Sequence, residues 1–180
     1  MSEYYRQQLD AGQRYQDFVA RGLYRCGFPL VNYQTRDFQL RHGENEFGLE
    51  IKFDRIFASS GKFWIEVGEK THSTDERWRD SGILRDDNAW LYGIGDYNEF
   101  WIFGVEHLRR YYAKLPQAEL LTNYRETSVG FLLSREVALR LALKTIDWRS
   151  VDGLEIDRPD AAPPTSAGAP LNLDTAEIER

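Results

Sequence analysis

Residues 48–70 contain two short runs in which apolar and polar side chains alternate, and this pattern most restricts how the chain can fold. Alternation with a period of two is typical of a β-strand that buries one face. The apolar positions are Leu49, Ile51 and Phe53 in the first run, and Phe63, Ile65 and Val67 in the second. Between the runs, Ser59-Ser60-Gly61 predicts a three-residue hairpin loop with Gly61 in the left-handed conformation.

A hairpin centred on Ser60 fixes a register between the two strands. It pairs Asp54 with Glu66, Lys52 with Gly68, and Glu50 with Lys70. Like charges directly opposite each other destabilise a sheet, so Asp54 facing Glu66 predicts a bound cation, and a divalent metal has the right chemistry. The alternative is a plain solvated face of an amphipathic hairpin. Ile56 and Trp64 share that face with the charges and count against this alternative.

The remaining patterns predict a mixed fold of helices and strands. Helices are expected over 4–25, 105–114 and 135–146, the last capped by Ser134, and strands over 99–103 and 129–133. Residues 87–92 fit a strand or a short helix leading into one, residues 38–40 a short strand or helical turn, and residues 71–80 a loop. This order predicts an α/β sheet with helices on its faces.

Composition divides the chain into a body, residues 1–150, and an acidic tail rich in proline and alanine, residues 151–180. The tail holds seven acidic residues and two arginines, so of the formal charge of −6 it carries −5 and leaves −1 on the body. We expect the tail to be disordered. The near-neutral body neither supports nor excludes a nucleic-acid partner. No apolar run is long enough to span a membrane, and the single Cys26 favours a reducing, cytoplasmic location.

Three short pieces of the sequence carry a resemblance to a known family. They are the Gly43-Glu44-Asn45 turn, the strand from Glu50 to Asp54, and Ile65-Glu66. Together they resemble small phage and bacterial members of the PD-(D/E)XK nuclease superfamily, and the resemblance covers about residues 10–105. It implies a restriction-endonuclease-like mixed sheet with flanking helices. It also implies metal-dependent hydrolysis of phosphodiester bonds, with Asp54 and Glu66 as ligands of Mg²⁺ or Mn²⁺.

The sequence departs from the family pattern at two positions. The lysine expected after Glu66 is replaced by Gly68, so the ammonium group would come from Lys52 or Lys70. We favour Lys52, because the opposed glycine would leave room for its side chain; the alternative is a surface lysine paired with Glu66 or Glu50. In the first helix Gln16 stands where the family often has a glutamate, and its amide can hold a metal-bound water without adding charge.

These residues favour a metal-dependent nuclease, an endonuclease or exonuclease, acting on nucleic acid and on DNA in the first instance. One alternative is a catalytically inactive nuclease-fold module that binds nucleic acid or a protein partner. Another is an interaction protein whose acidic tail mimics nucleic acid or recruits a partner. Weaker candidates are His42, His72 and His107, which lack metal-ligand spacing, and Arg77, Arg79 and Arg85, which could contact phosphates.

Overall fold

The structure is a computed structural model that describes residues 3–154. Most of the expected tail, from residue 155 onward, lies outside the described residues, so its predicted disorder stays a prediction. Within residues 3–154, no helix is both long and apolar enough to cross a membrane.

The described residues form five α-helices, three single-turn 3-10 helices and eight strands, and the mixed α/β class is as predicted. The helices are α1 (Glu3–Arg25), α2 (Arg36–His42), α3 (Phe57–Ser60), α4 (Val105–Tyr112) and α5 (Arg135–Leu141). The strands are β1 (Leu49–Phe53), β2 (Lys62–Glu69), β3 (Arg79–Asp80), β4 (Leu91–Gly95), β5 (Glu99–Gly104), β6 (Leu121–Thr122), β7 (Ser128–Ser134) and β8 (Ala142–Asp147).

The strands form two four-stranded sheets rather than the one that was expected. The first has the order β1-β4-β5-β8 and the second the order β3-β2-β7-β6. Strands β1 and β4 run parallel, and the other pairs are antiparallel. Two apolar clusters cover the first sheet. On β5, Trp101 and Phe103 belong to the cluster shared with the second sheet, whereas Phe100 belongs to the cluster shared with α1. Since successive strand residues point to opposite faces, both faces of the first sheet are buried at β5, whereas most residues of the edge strand β8 are exposed.

The predicted hairpin between β1 and β2 is wrong, although both strands exist. Strand β1 pairs with β4, and β2 pairs with β3 and β7, so the register that set Asp54 opposite Glu66 does not occur. The chain between the strands forms the helical turn α3, because Asp54 Oδ1 accepts hydrogen bonds from the backbone N–H groups of Ile56 and Phe57 (2.9 and 3.0 Å). Gly61 ends this turn in the left-handed conformation (φ 64°), as predicted.

Other expectations are confirmed or corrected locally. Helix α1 matches the expected helix over 4–25, and residues 38–40 lie in the helix α2. Ser134 caps α5 by accepting a hydrogen bond from the N–H of Val137 (3.3 Å). The helix expected over 135–146 ends at Leu141, because residues 142–147 pair with β5 as β8. The expected loop over 71–80 ends in the short strand β3, which pairs with β2.

Candidate functional site

A cleft of about 900 Å³ lies beside β1 and β2, and it collects most of the residues that the sequence singled out. Its lining includes Lys52, Asp54, Glu66 and Gln16. Lys70 does not line the cleft; its ammonium group lies over the ring of Trp78, 4.4 Å from the centroid. We refer to this feature as the β1 cleft. Most of its other lining side chains are polar, charged or aromatic, and they include Gln13, Gln34, Gln39, Glu44, Arg55, Trp64, Glu69, Ser81, Arg85 and Tyr92.

Glu50 is the most deeply buried carboxylate next to the cleft, with 1% of its surface exposed. Its Oε1 atom accepts hydrogen bonds from Lys52 Nζ (2.7 Å) and from the guanidinium of Arg85 (3.2 Å). Its Oε2 atom is buried and has no hydrogen-bond partner. A buried carboxylate oxygen without a partner costs free energy. This oxygen is therefore a position where an additional cation would be stabilised.

The ammonium group of Lys52 stays protonated at neutral pH. Burial lowers the pKa of Lys52, but the negative charges of Glu50 and Glu44 outweigh that effect and hold the pKa above its ordinary value. A protonated lysine can donate hydrogen bonds to phosphate oxygens but cannot take a proton from water. The reason given for choosing Lys52 was wrong, because a Cβ atom on Gly68 would meet Val129 and the carbonyl of Arg79 instead of lysine.

Glu44 is a half-buried carboxyl group that changes its charge close to neutral pH. Desolvation is the largest effect and raises the pKa of Glu44 to about 7; the positive charge of Lys52 lowers it and the negative charge of Glu50 raises it. The carboxyl Oε2 accepts a hydrogen bond from the N–H of Ile51 on β1 (2.7 Å), which holds Glu44 against the strand. A carboxyl group with this pKa can both accept and release a proton at neutral pH.

The two carboxylates predicted as metal ligands, Asp54 and Glu66, both have partners within the protein. Besides capping α3, Asp54 accepts a hydrogen bond at Oδ2 from the N–H of Trp64 (3.2 Å). The two oxygens of Glu66 accept hydrogen bonds from the hydroxyl groups of Ser81 (2.6 Å) and Ser128 (2.5 Å). A carboxylate oxygen has two lone pairs, so these bonds fix both carboxylates without excluding a further ligand.

Four carboxylates act together on the hydroxyl group of Tyr92, which is buried next to Glu50 in the β1–β4 register. Burial is the main cause that raises the pKa of Tyr92 well above its ordinary value, and the negative charges of Glu50, Glu66, Glu44 and Asp54 raise it further. The hydroxyl group therefore remains protonated. Because all four carboxylates raise the pKa of the same hydroxyl group, they lie near Tyr92.

The acidic groups do not form a complete metal cage. Among residues 3–154, no group of three or more histidine, cysteine, aspartate or glutamate side chains is arranged to hold a metal ion. Mg²⁺ usually needs fewer than three protein ligands, because it keeps several waters and binds through one or two carboxylates plus the phosphates of a substrate. The unpartnered oxygen of Glu50 together with one neighbouring carboxylate fits that weaker kind of site.

Glu44, Glu50 and Tyr92 had no role assigned to them from the sequence. A signal for Glu50 was present, because Glu50-Ile51-Lys52 has an acidic residue and a lysine two positions apart. On a strand this spacing puts both side chains on the same face. No signal in the sequence pointed to Tyr92, since its position depends on which strand pairs with β1.

Comparisons with protein-family models, with curated proteins and with solved structures found no match to this chain. The resemblance to PD-(D/E)XK nucleases and the restriction-endonuclease-like fold therefore stay predictions. The chemistry of the β1 cleft is the basis that remains for assigning a function.

Proposed function

We propose that the β1 cleft hydrolyses phosphodiester bonds of nucleic acid, DNA in the first instance, with the help of Mg²⁺ or Mn²⁺. The observation that carries this proposal is the buried, unpartnered Oε2 atom of Glu50, which lies on the carboxylate that also binds Lys52. A site with an unsatisfied anionic oxygen beside a fixed ammonium group suits a cation and a phosphate that bind together.

The charge of the cleft lining supports the need for such a cation. The lining includes three cationic residues, Lys52, Arg55 and Arg85, and four acidic residues, Glu44, Asp54, Glu66 and Glu69, and the buried carboxylate of Glu50 next to Lys52 and Arg85 is a fifth acidic group, so acidic groups remain in excess even when Glu44 is protonated. An excess of negative charge repels a phosphate group. A divalent cation at the carboxylates would reverse the sign and allow the phosphate to approach.

We assign Glu50 and Glu66 as the carboxylates that would hold the cation. Both contribute to the raised pKa values of Lys52 and Tyr92, which supports a position close to the same two side chains. The serine hydroxyl groups that bind Glu66 would hold it in place. Asp54 stays a predicted ligand, but three backbone N–H groups already bind its carboxylate.

The residues of the cleft can supply the other parts of a hydrolytic mechanism. When bound, the cation would supply Lewis acidity toward an oxygen of the scissile phosphate. Lys52, which stays protonated, would donate a hydrogen bond to a second phosphate oxygen and offset the charge that develops there. Glu44, whose pKa is about 7 in the cation-free protein, would accept the proton of the attacking water, and the departing oxygen of the phosphodiester would take a proton from solvent water. Arg85 would keep Glu50 oriented through its hydrogen bond to Oε1.

The proposal is tested by measuring metal binding and cleavage on matched variants. Calorimetry with Mn²⁺ and cleavage assays on single- and double-stranded DNA and RNA would compare the wild type with Glu50→Gln, Lys52→Ala and Asp54→Asn. Glu106→Gln is the matched control, because Glu106 is exposed on α4 and outside the cleft lining.

We expect Glu50→Gln to lose Mn²⁺ binding and cleavage, and Lys52→Ala to keep the metal but to lose roughly a hundredfold in rate. Asp54→Asn should keep Mn²⁺ binding if Glu50 and Glu66 are the ligands, and should lose it if the original prediction is right. A folded wild type that neither binds Mn²⁺ nor cleaves any of these substrates would refute the proposed function.

A second candidate function is nucleic-acid binding without hydrolysis. The observation that favours it is that the oxygens of both Asp54 and Glu66 already accept hydrogen bonds within the protein. Binding of the same DNA and RNA substrates in a fluorescence-anisotropy titration, with no cleavage by the wild type in the assays above, would identify this function. A protein partner recruited by the acidic tail stays a prediction, since most of the tail lies beyond residue 154.

A further inference from the structure

We propose that Asp87 is a positioning residue of the β1 cleft, and that it keeps the Oε2 atom of Glu50 open to a cation by holding Arg85 out of a bidentate pair with Glu50. This inference deepens the proposed function and rests on it only for the cation that Glu50 would bind. It does not require that a nucleic acid is cleaved. Asp87 does not line the cleft itself, so it would act through Arg85.

The carboxylate of Asp87 is buried and is held at both of its oxygens. Its side chain is only 2% exposed. The Oδ1 atom accepts a hydrogen bond from the backbone N–H of Ala89 (2.9 Å), and the Oδ2 atom accepts one from Nε of Arg85 (2.6 Å). A buried carboxylate is costly unless it is paired and hydrogen-bonded, so these two bonds fix Asp87 in the segment before β4.

Arg85 is held at its backbone as well as at its side chain. Arg109 on α4 donates hydrogen bonds from Nε to the carbonyl oxygen of Ile83 (2.6 Å) and from Nη2 to the carbonyl oxygen of Arg85 (3.3 Å). A guanidinium group is planar and rigid, so the bond from Nε to Asp87 also sets the direction of Nη2. In this position Nη2 donates to Oε1 of Glu50 (3.2 Å), whereas Oε2 has no hydrogen-bond partner within residues 3–154.

The pair that Asp87 prevents is the one that arginine and carboxylate groups favour. The two groups frequently form two parallel hydrogen bonds, and a glutamate carboxylate turns easily about its last bond. Without Asp87, Nε of Arg85 is released and can donate to Oε2 of Glu50 while Nη2 stays on Oε1. Lys52 already binds Oε1 (2.7 Å), so both oxygens would then be occupied. The buried position for a cation would close.

Asp87→Asn is the change that tests this restraint. Asparagine has the shape of aspartate, and its carbonyl oxygen can still accept the hydrogen bond from the N–H of Ala89. Its NH₂ group would then face Nε of Arg85, and two donors cannot bond to each other. Arg85 would therefore leave this position and form the bidentate pair with Glu50.

The measurement is calorimetric titration of Mn²⁺ into the full chain without nucleic acid, with folding checked by circular dichroism. We expect Asp87→Asn to bind Mn²⁺ roughly 10–100-fold more weakly than the wild type. Asp86→Asn is the matched control, because Asp86 is the neighbouring residue, is exposed and lies outside the cleft lining. This control loses the same charge and should keep the wild-type affinity.

The same substitution in an Arg85→Lys background separates positioning from a purely structural role. Lysine cannot form the planar contact with two bonds, so Asp87 has no guanidinium group to restrain in this variant. Adding Asp87→Asn to Arg85→Lys should therefore change the Mn²⁺ affinity by less than about threefold. Arg85→Lys also tests the inference if Asp87→Asn does not fold, because a folded Arg85→Lys without measurable Mn²⁺ binding would contradict it.

The outcomes for this inference and for the proposed function can be told apart. Wild-type affinity in Asp87→Asn, or an equal loss in the wild-type and Arg85→Lys backgrounds, would overturn the inference but leave a wild type that binds Mn²⁺ and cleaves. The expected losses in a protein that cleaves no substrate would support the inference and refute hydrolysis. A folded wild type that does not bind Mn²⁺ would overturn both the inference and the cation site.

Discussion

The carboxyl group of Glu44 changes its charge near neutral pH, so the free energy of unfolding should depend on pH through this residue. Its pKa is about 7 in the folded protein against an ordinary value of 4.5. Between these two pH values the folded state holds a proton that the unfolded state has released. The free energy of unfolding must therefore fall as the pH rises from about 4.5 through 7.

The size of this effect follows from the change in pKa. A rise from 4.5 to about 7 corresponds to at most roughly 3 kcal/mol. Glu44 is half-buried, so screening by solvent should reduce the effect to about 2 kcal/mol. Glu44→Gln keeps the shape of the side chain and removes the ionisation. The variant should therefore be more stable than the wild type at pH 8 and close to it, or slightly less stable, at pH 4.5.

The measurement is urea unfolding of the wild type and of Glu44→Gln at several pH values between 4.5 and 8, in EDTA. The difference between the two curves isolates Glu44 from the other titrating groups. Glu119→Gln is the control, because Glu119 is exposed in the turn before β6 and lies outside the cleft lining. Parallel pH profiles for the wild type and Glu44→Gln would show that the carboxyl of Glu44 is not desolvated, and would remove it as the proton acceptor.

Three further changes test how the cleft is held together. Gly61→Ala should lower the free energy of unfolding by about 1 kcal/mol in urea titrations, because Gly61 has a left-handed conformation; no loss would contradict that conformation. The double variant Ser81→Ala/Ser128→Ala should lower the free energy of unfolding by about 2 kcal/mol or more, since the carboxylate of Glu66 loses both hydroxyl donors. An unchanged free energy of unfolding would mean that water replaces the two hydroxyl groups. Lys52→Met should lower the midpoint of thermal unfolding by several degrees, because Glu50 then keeps only its bond to Arg85. Mn²⁺ should recover part of this loss, and a midpoint of the variant that does not change with Mn²⁺ would contradict the cation site.

Local signals in the sequence were sufficient for the elements that depend on neighbouring residues. The apolar positions Leu9, Tyr15, Phe18, Val19 and Leu23 predicted the buried stripe of α1; the last four are buried in the fold, whereas Leu9 is 40% exposed. Ser134 predicted the start of α5 correctly. Helix periodicity and capping act within a few residues, so they can be recognised without knowing the tertiary structure.

Residues 142–147 show where local signals were not sufficient. They follow α5 directly, and all but the last of them were expected to continue the helix, but they form β8 because β5 offers a free edge for pairing. Ile146 packs against the apolar cluster that joins α1 to the first sheet. The hydrogen bonds and the packing offered by a distant strand outweigh a small local preference for helix.

The sequence by itself determined that β1 is a strand, that Gly61 is left-handed and that Glu50 and Lys52 share one strand face, but the expected burial of only one face of β1 is wrong, because Glu50 is buried as well. The tertiary structure alone decided which strand pairs with β1 and which carboxylates share the cleft. Alternation reveals which side chains share a face, but it carries no information about the partner strand. Because β1 pairs with β4 and not with β2, Glu50 is buried beside Tyr92, and Asp54 and Glu66 reach the same cleft from two different sheets.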